Sequence, residues 1–374
     1  MARNKKHPGD NGEPEGLPDH GKQAERLRAI VRASGNERLS PAEKELLWQR
    51  IEADLAPAPK IAPMWRRLSA AVVILLLISA GIWGWRSLHR PSRQSLLAFA
   101  TAQSVNMTGT TTRLMLGNHQ QLLLRNNRSS ITYRQQGAVQ ADTQLVTQHL
   151  DNGKPAFNTL IVPYGNTASL VLEDGTRVWL NAGSRLVYPA AFAAKKREVF
   201  LEGEAYFDVR PSAGQPFSVY TSDLEVKVLG TAFNVTAYRD DAGQQVVLTS
   251  GSVALEAHKG PAVHREQKQL APGNMAAYAP GAGDITVKDV RTEEYVSWKD
   301  GHIRALHTPL EDILKKLSRY YNQPIQVNSQ QGKETFSGDL DLQKNLTDVL
   351  SIVAATTSMQ YEKSGNTIIL KNKP

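Results

Sequence analysis

Read from its N-terminus, the chain changes hydrophobic period several times. One stretch has no polar period at all. From Leu68 to Trp85 (LSAAVVILLLISAGIWGW) there are 18 residues without Asp, Glu, Lys, Arg, His, Asn or Gln. As a helix it would rise roughly 27 Å, close to the hydrocarbon thickness of a bilayer. Arg66 and Arg67 bracket one end and Arg86 and Arg90 the other. Trp65, Trp83 and Trp85 stand where interfacial aromatics belong. The pattern predicts one transmembrane helix at 68–85, with residues 1–67 on one side and 86–374 on the other. Arg50, Lys60, Arg66 and Arg67 precede it and Arg86, Arg90 and Arg93 follow it, which tilts the N-terminus toward the cytosol.

Before this run, residues 1–21 are rich in Gly, Pro and charge and are expected to be disordered. Lys22–Ala33 reads as a short basic helix. Ser40, Pro41 and Glu43 then carry the signals of a helix start: a cap, a first-turn proline and the partner of a capping box. Leu47, Ile51 and Leu55 recur at helical spacing with Trp48 beside them, and Pro57 and Pro59 end the segment. So few large apolar groups make a marginal core. The expectation is a small helical module that lays its stripe (Leu47, Trp48, Ile51, Leu55) against a partner. The plain alternative is a membrane-proximal stalk.

After the run, Gln94 to Ala305 alternates with period two between Gly, Asn, Asp and Pro breaks, the pattern of β-structure. Gly109–Leu124 superposes on Gly165–Leu180 at an offset of 56, placing Leu114, Leu116, Leu122 and Leu124 on Leu170, Leu172, Val178 and Leu180. Stacked, solenoid-like β-units sharing one interior would produce this. Gly175, Gly203, Gly230 and Gly251 fall at strand boundaries or turns and are expected to be structural. Trp179 and Phe207 are expected in the core. From residue 302 the period changes again. Strand, helix, two strands, helix and a closing hairpin over Gly365-Asn366 give β-α-β-β-α-β-β, a compact α+β domain.

Composition narrows the function by exclusion. There is no cysteine, so no thiol nucleophile, thiolate site or disulfide. The net charge of +8 is scattered rather than striped, which gives nucleic-acid binding no support. Glu202 and Glu204 would point the same way from a strand and read as a solvent-exposed edge pair or a capping role. The nine histidines lack metal-ligand spacing; His302 and His307 flank an expected strand-to-helix junction. Ser250-Gly251-Ser252 has no nucleophile-elbow setting, and no phosphate loop is present. The reading is a non-enzyme with no cofactor and no metal.

Several linked motifs carry a family resemblance: VPYGNTASLVLEDGTRVWLNAGSRLVYPAAF, REVFLEGEAYFDV, FSVYTSDLEVKVLGTAFNVTAY, VVLTSGSVAL, LAPGNMAAY and WKDG. They resemble the FecR-type anti-sigma factors, most densely over 158–301 within a β-rich domain of 86–301. Residues 302–374 resemble the secretin/TonB short N-terminal fold, with Ser337–Leu340 in its middle strand. HIRALHTP departs from a more aromatic opening of that domain. LSPAEKELLWQRI resembles the membrane-proximal cytosolic helix of the branch paired with nutrient-uptake receptors. The resemblance implies an inner-membrane protein whose cytosolic part binds an extracytoplasmic-function sigma factor. It also implies a periplasmic part that senses the signalling domain of a TonB-dependent outer-membrane receptor, with processing by a membrane-embedded protease. The rival is a membrane-tethered periplasmic scaffold or glycan-binding protein whose N-terminus only anchors it.

Overall fold

A computed structural model describes residues 29, 40–54, 76–79, 81, 93–103, 109–134, 137–148, 156–257, 267–280 and 284–373. The chain divides into two units, 1–90 and 91–374. In the first, helix α1 spans Pro41–Asp54. Ser40 and Glu43 close its capping box: the Ser40 amide donates to Glu43 Oε2 at 2.9 Å, and the Glu43 amide donates to Ser40 Oγ at 3.4 Å. The bond from the Ser40 backbone lowers the Glu43 pKa. Of the expected basic helix only Ala29 is described, and it is helical. Of the expected span only 76–79 and 81 are described, helical and exposed. Among the described residues no helix is long and apolar enough to cross a membrane.

The second unit opens with helix α2 (Arg93–Ala102). A strand pattern was expected here, yet Leu96, Phe99 and Ala100 share one helical face and no Gly or Pro interrupts the segment. Leu96 and Ala100 pack on Val187, Phe200 and Tyr220. Tertiary burial of that face outweighs the local alternation.

Eighteen strands follow among the described residues: β1 (Thr112–Met115), β2 (Gln121–Leu124), β3 (Arg128–Tyr133), β4 (Ala138–Ala141), β5 (Gln144–Thr147) and β6 (Phe157–Val162). Next come β7 (Thr167–Val171), β8 (Arg177–Leu180), β9 (Ser184–Pro189), β10 (Arg197–Asp208), β11 (Phe217–Tyr220) and β12 (Leu224–Val228). The series ends with β13 (Ala232–Ala237), β14 (Gln244–Ser250), β15 (Val253–Ala257), β16 (Gln267–Leu270), β17 (Asn274–Tyr278) and β18 (Ile285–Asp289).

They form two layers. The first runs β2-β1-β6-β9-β10-β11-β12-β15-β16. The second runs β5-β4-β3-β7-β8-β10-β13-β14-β17-β18. The chain passes back and forth between the layers, so the β-rich body expected from the alternation is observed. Leu114 faces Leu122 across β1 and β2, and Leu170 faces Val178 across β7 and β8, the registers that the 56-residue offset requires. One core fills the space between layers, with Leu160, Leu186 and Val226 from the first and Ile131, Phe207 and Phe233 from the second.

Strand β10 belongs to both layers because it bends at Gly203. Its φ is +101°, and a Cβ there would stand 2.6 Å from Ser184 Cα. Only glycine fits that close crossing.

Residues 302–373 form a lobe in the expected order: β19 (His302–Pro309), α4 (Leu310–Tyr321), β20 (Ile325–Val327), β21 (Thr335–Asp341), α5 (Leu346–Thr356), β22 (Met359–Ser364) and β23 (Thr367–Asn372). A short helix α3 (Glu293–Val296) and a 3-10 turn lead into it. Its strands split into an antiparallel pair, β19-β21, and a separate sheet β20-β23-β22. His302 and His307 both lie inside β19, which carries a bulge between Ala305 and Thr308 instead of breaking into a helix. Leu310, Ile313, Leu314 and Leu317 bury one stripe of α4 into the lobe's own core.

Candidate functional site

Helix α4 has a second stripe. Lys315 and Arg319 are one turn apart, as are Lys316 and Tyr320, and both pairs face away from the lobe core. Lys315 and Arg319 meet the turn between β13 and β14. Arg319 donates to Asp240 Oδ1 at 2.8 Å and to Asp241 Oδ1 at 2.6 Å. Its guanidinium lies 3.6 Å from the Tyr238 ring centroid. Lys315 adds a 2.6 Å bond to Asp241. The Gly165 amide donates to the Arg319 carbonyl at 2.9 Å. Burial alone would lower the Arg319 pKa, but the Asp241 bond and its neighbours carry it upward. Burial pushes the Asp241 carboxyl up, while bonds from Arg319 and Lys315 pull harder and leave it below its ordinary value. The seam is therefore a charged clamp.

Beside the clamp, the outer face of the second layer carries Glu204. It is buried rather than exposed at an edge, because Asn181, Asn234 and Thr236 donate to its carboxylate at 2.8, 3.0 and 3.2 Å. Trp298 Nε1 donates to Asn234 Oδ1 at 3.2 Å and roofs the cluster. Glu202, on the first-layer side of the bend at Gly203, pairs with buried Arg185 at 3.0 Å and with Arg239 at 2.6 Å. Arg185 in turn donates to the Gln103 carbonyl after α2 at 3.2 Å. The two carboxylates are thus committed to structural partners.

Trp179 does not reach the core. Strand β8 turns Val178 and Leu180 inward and Trp179 outward, half-buried. Its ring centroid lies 5.7 Å from that of Tyr206, and it lines a cavity with Arg128, Trp298 and Tyr320. The period-two rule applied to β8 with Leu180 inside would have assigned this. Phe207 is fully buried and stacks on Phe233 at 5.2 Å. Gly175 and Gly251 have φ of +84° and +90°, and Gly230 sits where a Cβ would come 2.6 Å from Pro211 Cα.

Leu47, Trp48 and Ile51 fall within α1, but their side chains lie outside the described residues, as does Leu55 entirely. Trp65, Arg66, Arg67, Trp83, Trp85 and Arg86 also lie outside them. Among the described residues no group of three or more His, Asp or Glu could hold a metal ion. Sequence reasoning missed the clamp: its members are 78 residues apart, and neither Asp240-Asp241 nor Arg319 stands out from the charged background.

Two family models match this chain, FecR protein over 158–254 and FecR, C-terminal over 306–370. A crystal structure at 1.65 Å of a candidate anti-sigma factor from Parabacteroides distasonis ATCC 8503 is 31% identical, with a TM-score of 0.52. The match covers 58% of this chain and 99% of that one. A second structure of a candidate anti-sigma factor from the same strain, at 2.50 Å, is 30% identical with the same TM-score, covering 58% and 100%. No curated protein matches the chain. The chain belongs to the FecR-type anti-sigma factors. It is thereby a regulator of sigma-factor signalling, and a sigma factor is its implied partner.

Proposed function

We propose that this protein is a single-pass inner-membrane anti-sigma factor that carries no catalytic activity. Residues 1–67 face the cytosol and hold an extracytoplasmic-function sigma factor. Residues 86–374 face the periplasm and read the signalling domain of a TonB-dependent receptor. A membrane-embedded protease processes the chain between the two. The observation that carries the reading is the joint presence of a capped helix, α1, before an 18-residue uncharged run and a FecR-family body after it. An anchor alone needs no capping box and no apolar stripe.

Compartment-specific reporters fused at either end test the topology; a periplasm-active reporter at residue 1 would sink it. Buried aromatic anchors commonly contribute on the order of 2 kcal/mol or more to an interface, roughly 30-fold in affinity. Trp48→Ala and Ile51→Asp should therefore release the sigma factor and raise its transcripts without inducer. Unchanged transcripts at normal protein levels would remove α1 from the contact. Deleting 302–374 should uncouple transcription from inducer while the sigma factor stays bound.

A further inference from the structure

Three adjacent strands of the second layer present their outward residues in register. Arg128 stands beside Thr167, Ser130 beside Ser169, and Ser169 beside Trp179. Trp298, Lys299 and Tyr320 close over them from the C-terminal side. The half-open cavity measures about 200 Å³, the share of roughly seven liquid waters.

Its chemistry is one-sided. No acidic residue lines it. Lys299 is already held by Asp300 at 2.6 Å and lies over the Tyr206 ring. Arg128 has no carboxylate partner among the described residues; its guanidinium donates to the Tyr320 hydroxyl at 3.2 Å. The side-chain hydroxyls of Ser130, Thr167 and Ser169 make no hydrogen bond among the described residues. Trp179 adds an aromatic face to the floor.

These features converge on one class of molecule. A guanidinium that has no carboxylate partner among the described residues fits a carboxylate. Three hydroxyls that both donate and accept fit a polyhydroxylated body. An indole fits the C–H face of a ring. The volume admits a single ring. The geometry points to a site for a small carboxylated sugar, a hexuronic acid in its simplest form, held between the β-layers and the lobe. Because Tyr320 belongs to α4, an occupied cavity ties the lobe to the β-layers at a second place beside the Arg319 clamp. This site stands independently of the sigma-factor reading.

The test titrates the full chain in detergent micelles with D-glucuronate, D-glucose and acetate, read by saturation-transfer NMR and calorimetry. Glucuronate should bind in the millimolar range, about ten-fold tighter than glucose or acetate, since only it engages fork, hydroxyls and indole together. Arg128→Gln should abolish the preference over glucose with thermal unfolding unchanged. Trp179→Leu should weaken glucuronate and glucose alike. Equal binding of glucuronate and glucose, no binding up to about 10 mM, or an Arg128→Gln protein with unchanged glucuronate affinity would each overturn the assignment. It also falls if glucuronate is silent while a receptor signalling domain shields Trp179 from a soluble quencher, because the cavity is then a protein contact.

Discussion

The β-layers and the lobe bury their interiors by different means. Among the described residues of the layers, a core of 36 hydrophobic side chains is laced with buried polar knots. Asn158 accepts from Gly117 and Gln148 and donates to Tyr133, whose hydroxyl bonds Tyr188 at 3.0 Å. Burial raises the Tyr133 pKa to about 12. Arg197 donates to Asp174 and to the carbonyls of Gln215 and Arg210, and its guanidinium lies 5.4 Å from the Phe217 ring centroid. In the lobe the core is 14 apolar side chains, and its buried polar side chains are Arg319 and Gln331. Arg319 faces out of the lobe, onto the layers. Strands that cross between layers leave polar groups stranded inside, and these must be paired internally. A small two-helix lobe has no such crossings. Its polar investment is concentrated at the surface where it docks.

That contrast is broken most forcefully at Arg197. Its side chain is 1% exposed and Asp174 is 15% exposed. Removing one partner of such a pair leaves a buried charge and orphaned carbonyls, costing about 3–5 kcal/mol. Arg197→Ala should therefore lower the thermal midpoint of the β-layers sharply. Hydrogen exchange of the lobe core (Leu314, Val349) should change far less. If the lobe opens in step, the two regions are one cooperative unit and the contrast fails.

How far this division could be read beforehand differs by region. The lobe's element order follows from period changes and turn residues alone, because helices of 11–12 residues with apolar i, i+3, i+4 spacing and a Gly-Asn hairpin are local signals. The repeat in the layers is legible through Leu114, Leu122, Leu170 and Val178. What escaped is long-range. Glu204 looks like a surface acid until Asn181 and Asn234 are brought to it. Trp179 looks like core until the β8 parity is fixed by Leu180. Helix α2 alternates locally, yet a sheet face made of Val187, Phe200 and Tyr220 decides its conformation. The clamp and the cavity are assembled from residues scattered between 128 and 320, and no short pattern encodes that meeting.

A smaller effect sharpens the comparison at Arg319. Its side chain is 10% exposed, while Asp240 and Asp241 are 57% and 20% exposed, so solvent screens part of the pair. Arg319→Ala should cost about 2 kcal/mol, less than a fully buried pair. The loss should appear as faster proteolysis and exchange at the seam, with the lobe still folded on its own core. Arg319→Lys should recover only part of this, since one ammonium cannot bridge both carboxylates or stack on Tyr238 as a guanidinium does. A lobe that unfolds outright in Arg319→Ala would show that its core depends on docking.

The smallest effect is a pH dependence of the same seam. The folded pKa of Asp241 lies below the ordinary 3.8 because Arg319 and Lys315 hold its carboxylate charged. A depressed carboxyl stabilises the docked state at every pH above its ordinary value and loses that contribution as pH falls through the folded value. Asp312 opposes it, since burial raises its pKa and its contribution fades as pH rises. Comparing wild type with Asp241→Asn removes the burial-driven part of the Asp312 contribution, which both proteins share, and leaves only the smaller part that the Asp241 charge adds. The difference in seam protection should be about 1 kcal/mol and flat from neutral pH down to about pH 4. Below that it should shrink toward zero as Asp241 protonates. Exchange protection of the amides flanking Arg319, measured in both proteins down to acid pH, gives the difference directly. A gap that persists unchanged below pH 3 would mean that Asp241 does not act through its charge, whereas no gap at neutral pH would mean that Asp240 and the Tyr238 stack hold Arg319 without it.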